Sequence, residues 1–142
     1  DGDDKIFNFA TTAGKLEGGD GNDSIYSVGL SLSATVDVSG GNGYVKLIGG
    51  MAGGEINLGT GVNLVDASGQ TLRGVKITDA AGAESSAVIA GSLTTRSKVE
   101  LKAAQAAVDV KLLSSSDIAF GTGANSLAAD KITGTKTEKS NI

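Results

Sequence analysis

The residues best suited to chemistry lie in the first 26 positions, where aspartates alternate with glycines. Residues 18–26 read Gly-Gly-Asp-Gly-Asn-Asp-Ser-Ile-Tyr and match the nonapeptide G-G-x-G-x-D-x-U-x, in which U is a large aliphatic residue. Residues 1–7, Asp-Gly-Asp-Asp-Lys-Ile-Phe, match the last seven positions of the same pattern. Residues 1–23 hold six carboxylates and two lysines, so this segment accounts for the whole net charge of -4. Such a segment attracts cations and repels phosphate backbones, which predicts that nucleic acid is not a partner.

The composition excludes several kinds of site. The chain has no His and no Cys, which excludes Ser-His-Asp and Cys-His nucleophiles as well as zinc sites. We therefore expect a protein that is not an enzyme. Any metal site must be built from oxygen ligands, which favour calcium or another hard cation. Gly, Ser, Thr or a charged residue interrupts every apolar stretch, so no membrane span is predicted.

The two nonapeptides resemble the calcium-binding repeats of the RTX (repeats-in-toxin) family of secreted bacterial proteins. The resemblance implies a parallel β-roll, with glycine-rich turns, short strands, and calcium between successive turns on the same side. A third segment, residues 40–47, keeps three glycines but places Val45 where the pattern has aspartate, so the prediction of calcium does not extend to it. Strict resemblance covers residues 1–26, and a degraded form continues to about residue 50.

The spacing of the two motif aspartates predicts a stacked pair of turns. Asp4 and Asp23 are 19 residues apart, close to the roughly 18 residues of two nonapeptides in one turn of a roll. The resemblance implies that these two residues supply the charge for calcium. It also gives five residues whose carbonyl or side-chain oxygens complete the shell: Asp1, Asp3, Gly18, Asp20 and Asn22. The alternative is a pair of plain acidic turns, since Asp-Gly and Asn-Asp are ordinary turn dipeptides.

The elements that would position these residues are short strands. Apolar stretches recur about every ten residues from position 25 and are separated by Gly, Asn or Asp, which predicts an all-β fold. Aromatic residues are only 4% of the chain, which favours a right-handed parallel β-roll or β-solenoid over a sandwich. Residues 98–113 fit both a helix and strands. Strands are preferred there because β-branched residues flank the Ala-rich part.

Two regions are predicted along the chain. Residues 1–50 are expected to form RTX-like calcium-binding coils, and residues 51–142 a continuing irregular β-solenoid or β-rich segment. The predicted function is that of a structural segment in a large secreted bacterial surface protein (surface layer, matrix filament or adhesin), with self-association into a lattice or filament. The alternative is an accessory RTX secretion and folding module of a secreted hydrolase or epimerase. A carbohydrate- or ice-binding module would need an exposed aromatic or threonine row, and we expect none.

Overall fold

A computed structural model describes residues 2–10, 13–29, 34–134 and 136–139. These residues form strands and no helix, so none of them provides a helix that could cross a membrane. The prediction of an all-β fold is confirmed. The strands are β1 (Lys5–Asn8), β2 (Lys15–Glu17), β3 (Asp23–Ser27), β4 (Thr35–Val38), β5 (Gly43–Leu47), β6 (Met51–Ala52), β7 (Glu55–Leu58), β8 (Val62–Arg73), β9 (Lys76–Thr78), β10 (Ser85–Thr94), β11 (Lys98–Leu101), β12 (Gln105–Ser114), β13 (Asp117–Phe120), β14 (Ala124–Thr133) and β15 (Lys136–Lys139).

The strands stack into two parallel sheets. The first sheet has the order β1-β3-β5-β8-β10-β12-β14, with β6 also paired to β8, and the second has the order β15-β13-β11-β9-β7-β4-β2. The chain therefore alternates between the sheets and makes six full turns between β1 and β14, which confirms the predicted parallel solenoid. We number its coils 1 to 7 by the strands of the first sheet, from β1 to β14. Both ladders run without interruption past residue 50.

Stacked aliphatic side chains fill the space between the sheets. Partners in adjacent coils are 19 to 23 residues apart, as in the pairs Ile6 with Ile25 and Val65 with Val88. Alternate residues of each strand point inward, so like residues stack in columns and bury their side chains together. Ile6 and Leu127, in coils 1 and 7, are only partly buried because each has a neighbouring coil on one side.

Residues 98–113 form β11 and the greater part of β12, which confirms the preference for strands. The Ala-rich link fits because Ala103 and Ala106 are small enough to pack inward at the corner between the two sheets. Sequence reasoning missed β2 and β6, and it expected only short strands where β8 runs for 12 residues. The longer strand forms because Gly69, at φ 74°, lets the chain bend around the corner without ending its ladder.

A strained residue lies at the corner that follows the long strands. Gly74 has a φ of 64°, and Thr95, stacked against it in the next coil, has a φ of 55°. A β-branched residue is strained in this left-handed region. We predict that Thr95→Gly raises the free energy of unfolding by about 0.5–1 kcal/mol and the melting temperature by about 2–4 °C. The matched control is Thr94→Gly, in β10, which should destabilise the chain. Thermal denaturation in which Thr95→Gly melts below the wild type would contradict the prediction.

The outer faces of the two sheets differ in chemistry. The second sheet carries ion pairs along and between its strands, such as Lys15 with Glu17 at 2.9 Å and with Asp37 at 3.4 Å. The outer face of the first sheet carries most of the large exposed apolar side chains, which include Phe7 and Ile48. Its single ion pair among the described residues joins Lys46 to Asp66. Hydrogen bonds from Lys46 and Ser68 lower the pKa of Asp66 to about 2.

Candidate metal site in the first two turns

The two acidic turns lie directly on top of each other. The backbone N–H of Ser24 donates to the carbonyl of Asp4 at 2.8 Å, and that of Asn22 donates to Asp3 Oδ1 at 2.8 Å. The parallel ladder between β1 and β3 continues this 19-residue offset. The stacking predicted from the spacing of Asp4 and Asp23 is therefore confirmed. Asp1, also predicted as a site residue, lies outside the described residues.

Asp23 is the chemically unusual member of this pair of turns. Its side chain points into the solenoid and the residue is 2% exposed. Oδ1 accepts a hydrogen bond from the backbone N–H of Asp4 at 3.0 Å. Oδ2 is buried and has no hydrogen-bond partner among the described residues. A buried carboxylate oxygen without a hydrogen-bond donor or a counter-charge is costly, so Oδ2 is suited to bind a cation.

Gly18 makes room for that carboxylate. A Cβ atom at residue 18 would overlap the carboxyl group of Asp23, including Oδ2. The backbone of Gly18 is fixed by its N–H, which donates to the carbonyl of Asp37 at 2.9 Å. The structure therefore brings together Gly18, Asp23 and the backbone of Asp4, whereas the motif predicted a role for the side chain of Asp4. It also gives a packing reason for glycine at the first position of the motif.

The other predicted site residues are exposed. The side chains of Asp4 and Asp20 face solvent at the edge of the turns. No three acidic side chains converge within the described part of the chain. Asp3 Oδ1 and Asn22 Oδ1 each accept a hydrogen bond from a backbone N–H of the following coil. A cation at Asp23 must therefore draw on backbone carbonyls and water as well as on carboxylates.

Sequence reasoning missed a ladder of side-chain oxygens that ties the first four coils together. Asp3 Oδ1 accepts from the N–H of Asn22 at 2.8 Å, Asn22 Oδ1 from that of Asn42 at 3.0 Å, and Asn42 Oδ1 from that of Val62 at 2.7 Å. Each oxygen thus satisfies a donor in the next coil at the rim of the glycine turns. The spacings of 19 and 20 residues between Asp3, Asn22 and Asn42 were the available signal.

The third glycine turn has a different register from the one its sequence suggested. The alignment placed Val45 at the aspartate position, but Val45 pairs with Ile25, and Gly43 pairs with Asp23. Val38 stacks one coil beyond Gly18, and its Cγ2 fills the space that a side chain at Gly43 would need. A methyl group thus occupies the place that the Asp23 carboxylate takes one coil earlier. Coil 3 therefore offers no inward side-chain oxygen at this position. Gly43 stands in place of the aspartate, and not Val45 as the sequence suggested.

Asn63 occupies the same inward position in coil 4, one coil beyond Gly43. Its Oδ1 accepts from the N–H groups of Gly43 at 3.0 Å and Gly59 at 3.1 Å. The two hydrogens of its Nδ2 are shared among three acceptors, the carbonyls of Gly59 at 2.9 Å and Gly61 at 3.2 Å and Ser86 Oγ at 3.3 Å. An amide is therefore fully satisfied at this position by protein atoms alone, whereas the carboxylate of Asp23 is not.

The expectation that the chain lacks an exposed aromatic row is wrong. Phe7 and Tyr26 stack on the outer face of the first sheet, with ring centroids 4.9 Å apart, and Tyr44 contacts Tyr26 at 5.6 Å. Phe7 is 57% exposed and its neighbour Phe9 is 80% exposed. The row escaped sequence reasoning because its members lie 18 or 19 residues apart in the chain and meet only through strand pairing.

Comparison of the chain with protein-family models, curated proteins and solved structures finds no significant match. The resemblance to RTX repeats therefore rests on the motifs at residues 1–7 and 18–26.

Proposed function

We propose that this chain is a structural β-solenoid segment of a large secreted bacterial surface protein, such as a surface layer, a matrix filament or an adhesin. Calcium bound at the first two acidic turns stabilises the solenoid, and the segment associates with copies of itself in the assembly. The observation that carries the calcium proposal is the buried, unpartnered Oδ2 of Asp23. The resemblance of residues 1–7 and 18–26 to RTX repeats supports the proposal that the protein is secreted.

The residues around Asp23 fit calcium. The side chains of the two turns that could ligate a metal, Asp3, Asp4, Asp20, Asn22 and Asp23, offer only oxygen ligands, and residues 1–23 have a net charge of -4. Calcium accepts six to eight oxygens in flexible arrangements, which suits one buried carboxylate supplemented by backbone carbonyls and water. Asp23 would hold the ion, and Asp4 and Asp20 would add charge from the rim. The ion would supply electrostatic stabilisation of stacked carboxylates and no reaction chemistry.

A structural role fits the interior of the molecule better than an accessory role does. Aliphatic columns fill the solenoid along its length, and the described coils continue the same ladder well beyond the acidic turns. A secretion and folding module of a hydrolase or epimerase would be expected to carry many consecutive calcium motifs. Residues 1–142 contain one complete motif and one seven-residue match to it, and coils 3 and 4 replace the aspartate with Gly43 and Asn63.

Isothermal titration with calcium tests the proposal. We expect the wild-type chain to bind at least one ion, and Asp23→Asn to lose that binding because its inward carboxylate is gone. The matched control is Asp117→Asn, which removes the same charge from an exposed strand residue of the second sheet. It should bind calcium as the wild type does. Wild-type protein that gives no heat at millimolar calcium, or Asp23→Asn that binds unchanged, would refute the site.

A further inference from the structure

The second acidic turn contains another motif, which overlaps the first. Residues 20–24 read Asp-Gly-Asn-Asp-Ser, and Asn22 begins the sequon Asn-x-Ser within them. This sequon is the acceptor for N-linked glycans on the surface of secreted proteins. Asp20 adds an acidic residue two positions before the asparagine, as the acceptors of bacterial oligosaccharyltransferases have. No other asparagine among the 142 residues begins such a sequon.

We propose that Asn22 is a site of N-linked glycosylation, with a lipid-diphosphate-linked oligosaccharide as the donor. The inference rests on the secreted bacterial setting of the proposed function. In the reaction, a bond forms between Asn22 Nδ2 and the anomeric carbon of the first sugar, and the bond from that carbon to the phosphate oxygen breaks. The lipid diphosphate leaves, and one proton of the amide nitrogen passes to solvent, so no oxidant or reductant is needed.

Strand alternation places the recognised side chains of the motif on the outer surface. In β3, Asp23 and Ile25 point into the solenoid, so Ser24 points outward, and Asn22 precedes the strand in the same alternation. Asn22 and Asp20 are exposed, and Ser24 is half-buried. The buried residue, Asp23, stands at the position of the sequon that accepts any residue except proline. The motif therefore offers its required side chains to solvent and buries a variable one.

The carboxamide of Asn22 is held so that its nitrogen is free. Oδ1 accepts a hydrogen bond from the N–H of Asn42 at 3.0 Å, and Nδ2 donates to no atom of residues 2–10, 13–29, 34–134 or 136–139. A glycan on Nδ2 leaves Oδ1 and that hydrogen bond in place. The ladder of side-chain oxygens through the first four coils is therefore compatible with the modification. Asn63 could not carry a glycan, because it is buried and backbone carbonyls enclose its Nδ2.

The backbone of the motif determines when the sugar can be added. The N–H of Asn22 donates to Asp3 Oδ1 in coil 1 at 2.8 Å, and that of Asp23 donates to the carbonyl of Asn42 in coil 3 at 3.0 Å. A transferase that encloses the acceptor segment must separate it from both neighbouring coils, so the stacked turns have to open first. Calcium at a hundredfold excess over its Kd lowers the population of open turns about a hundredfold. We therefore expect transfer to precede the closure of the turns by calcium.

Incubation of the chain with a bacterial oligosaccharyltransferase, its lipid-linked oligosaccharide and magnesium, without calcium, tests the proposal. Intact mass spectrometry should show the addition of one glycan to the wild type. Asn22→Gln and Ser24→Ala should stay unmodified, whereas Ser24→Thr keeps the sequon and should be modified as the wild type is. The matched control is Asn42→Gln, which alters the equivalent rim position of coil 3 and should be modified fully. A wild type that gains no glycan, or Asn22→Gln that still gains one, would overturn the proposal.

The same assay in saturating calcium tests the order of events. Transfer to the wild type should slow by at least about tenfold, because calcium keeps the turns closed. An unstructured peptide with the same five residues should be modified equally with and without calcium, which shows that the transferase itself is unaffected. Equal rates for the folded chain would contradict this order. Isothermal titration with calcium reports the calcium proposal separately: a chain that gains the glycan but binds no calcium would refute the metal site and leave the glycosylation site standing.

Discussion

Saturating calcium is expected to raise the melting temperature of the wild-type chain by about 10 °C and to leave that of Asp23→Asn unchanged. An ion that binds only the folded state at a hundredfold excess over its Kd stabilises it by about 2.7 kcal/mol. For a chain of this size, each kcal/mol added to the free energy of unfolding raises the melting temperature by about 3–4 °C. The measurement is circular dichroism melting in calcium and in excess chelator. Equal melting temperatures of the wild type in both conditions would show that the ion is incidental to stability.

The Asp23→Asn variant also has a defined expectation in chelator, where it should melt at or above the wild type. Asn63 shows that an amide is satisfied at this inward position by backbone groups of the glycine turn. An amide at residue 23 removes the uncompensated charge and gains a donor that the carboxylate lacks. A variant that melts well below the wild type in chelator would mean that the carboxylate is stabilised by protein groups alone.

Asp79→Asn is the matched control for a buried aspartate. Both oxygens of Asp79 are satisfied, Oδ1 by the N–H of Lys102 at 2.6 Å and Oδ2 by that of Ala103 at 3.0 Å. An amide would turn a donor toward one of these N–H groups, so the melting temperature should fall. The fall should be equal in calcium and in chelator, which leaves the calcium shift intact. Loss of the shift in this variant would mean that the calcium response does not belong to Asp23.

Local patterns in the sequence were enough to predict the all-β solenoid fold and the stacking of the two acidic turns. Alternating aliphatics such as Val36 and Val38 define which face of a short strand is buried, and glycines punctuate the strands at nearly constant spacing. Two copies of one motif 19 residues apart then fix which turns meet. Each of these inferences uses information within one or two coils of the chain.

Features that depend on exact register could not be predicted in this way. The glycines at 40–43 fit the motif in sequence, but Val38 and Ser39 stack on Gly18 and Gly19, which shifts the alignment by two residues. The match between Val38 and Gly43 is a packing relation between neighbouring coils that no local motif encodes. The row of Phe7, Tyr26 and Tyr44 and the amide network of Asn63 likewise form only after strands about 20 residues apart have paired.

Asn63→Asp is expected to lower the free energy of unfolding by about 3–5 kcal/mol, and calcium should not rescue it. The aspartate keeps the two hydrogen bonds from the N–H groups of Gly43 and Gly59. It loses the two hydrogens of Nδ2, which the carbonyls of Gly59 and Gly61 and Ser86 Oγ share. It also buries a charge in a fully enclosed position. The free energy of unfolding of a domain is usually about 5–15 kcal/mol, so this loss is a large share of it. The melting temperature should therefore fall by about 10 °C or more.

Calcium is not expected to rescue Asn63→Asp because the acidic surroundings of Asp23 are absent from this coil. Gly43 replaces the aspartate of the adjacent coil, and Asp23 is two coils away, about 10 Å along the solenoid. The matched control is Asn42→Asp, since the side chain of Asn42 accepts one hydrogen bond, from the N–H of Val62, and the carboxylate of Asp3 accepts the equivalent bond from the N–H of Asn22 in coil 2. That variant should melt close to the wild type. Calcium that restores the melting temperature of Asn63→Asp to that of the wild type would contradict this expectation. A single inward carboxylate would then be enough to bind the ion without the stacked acidic turns.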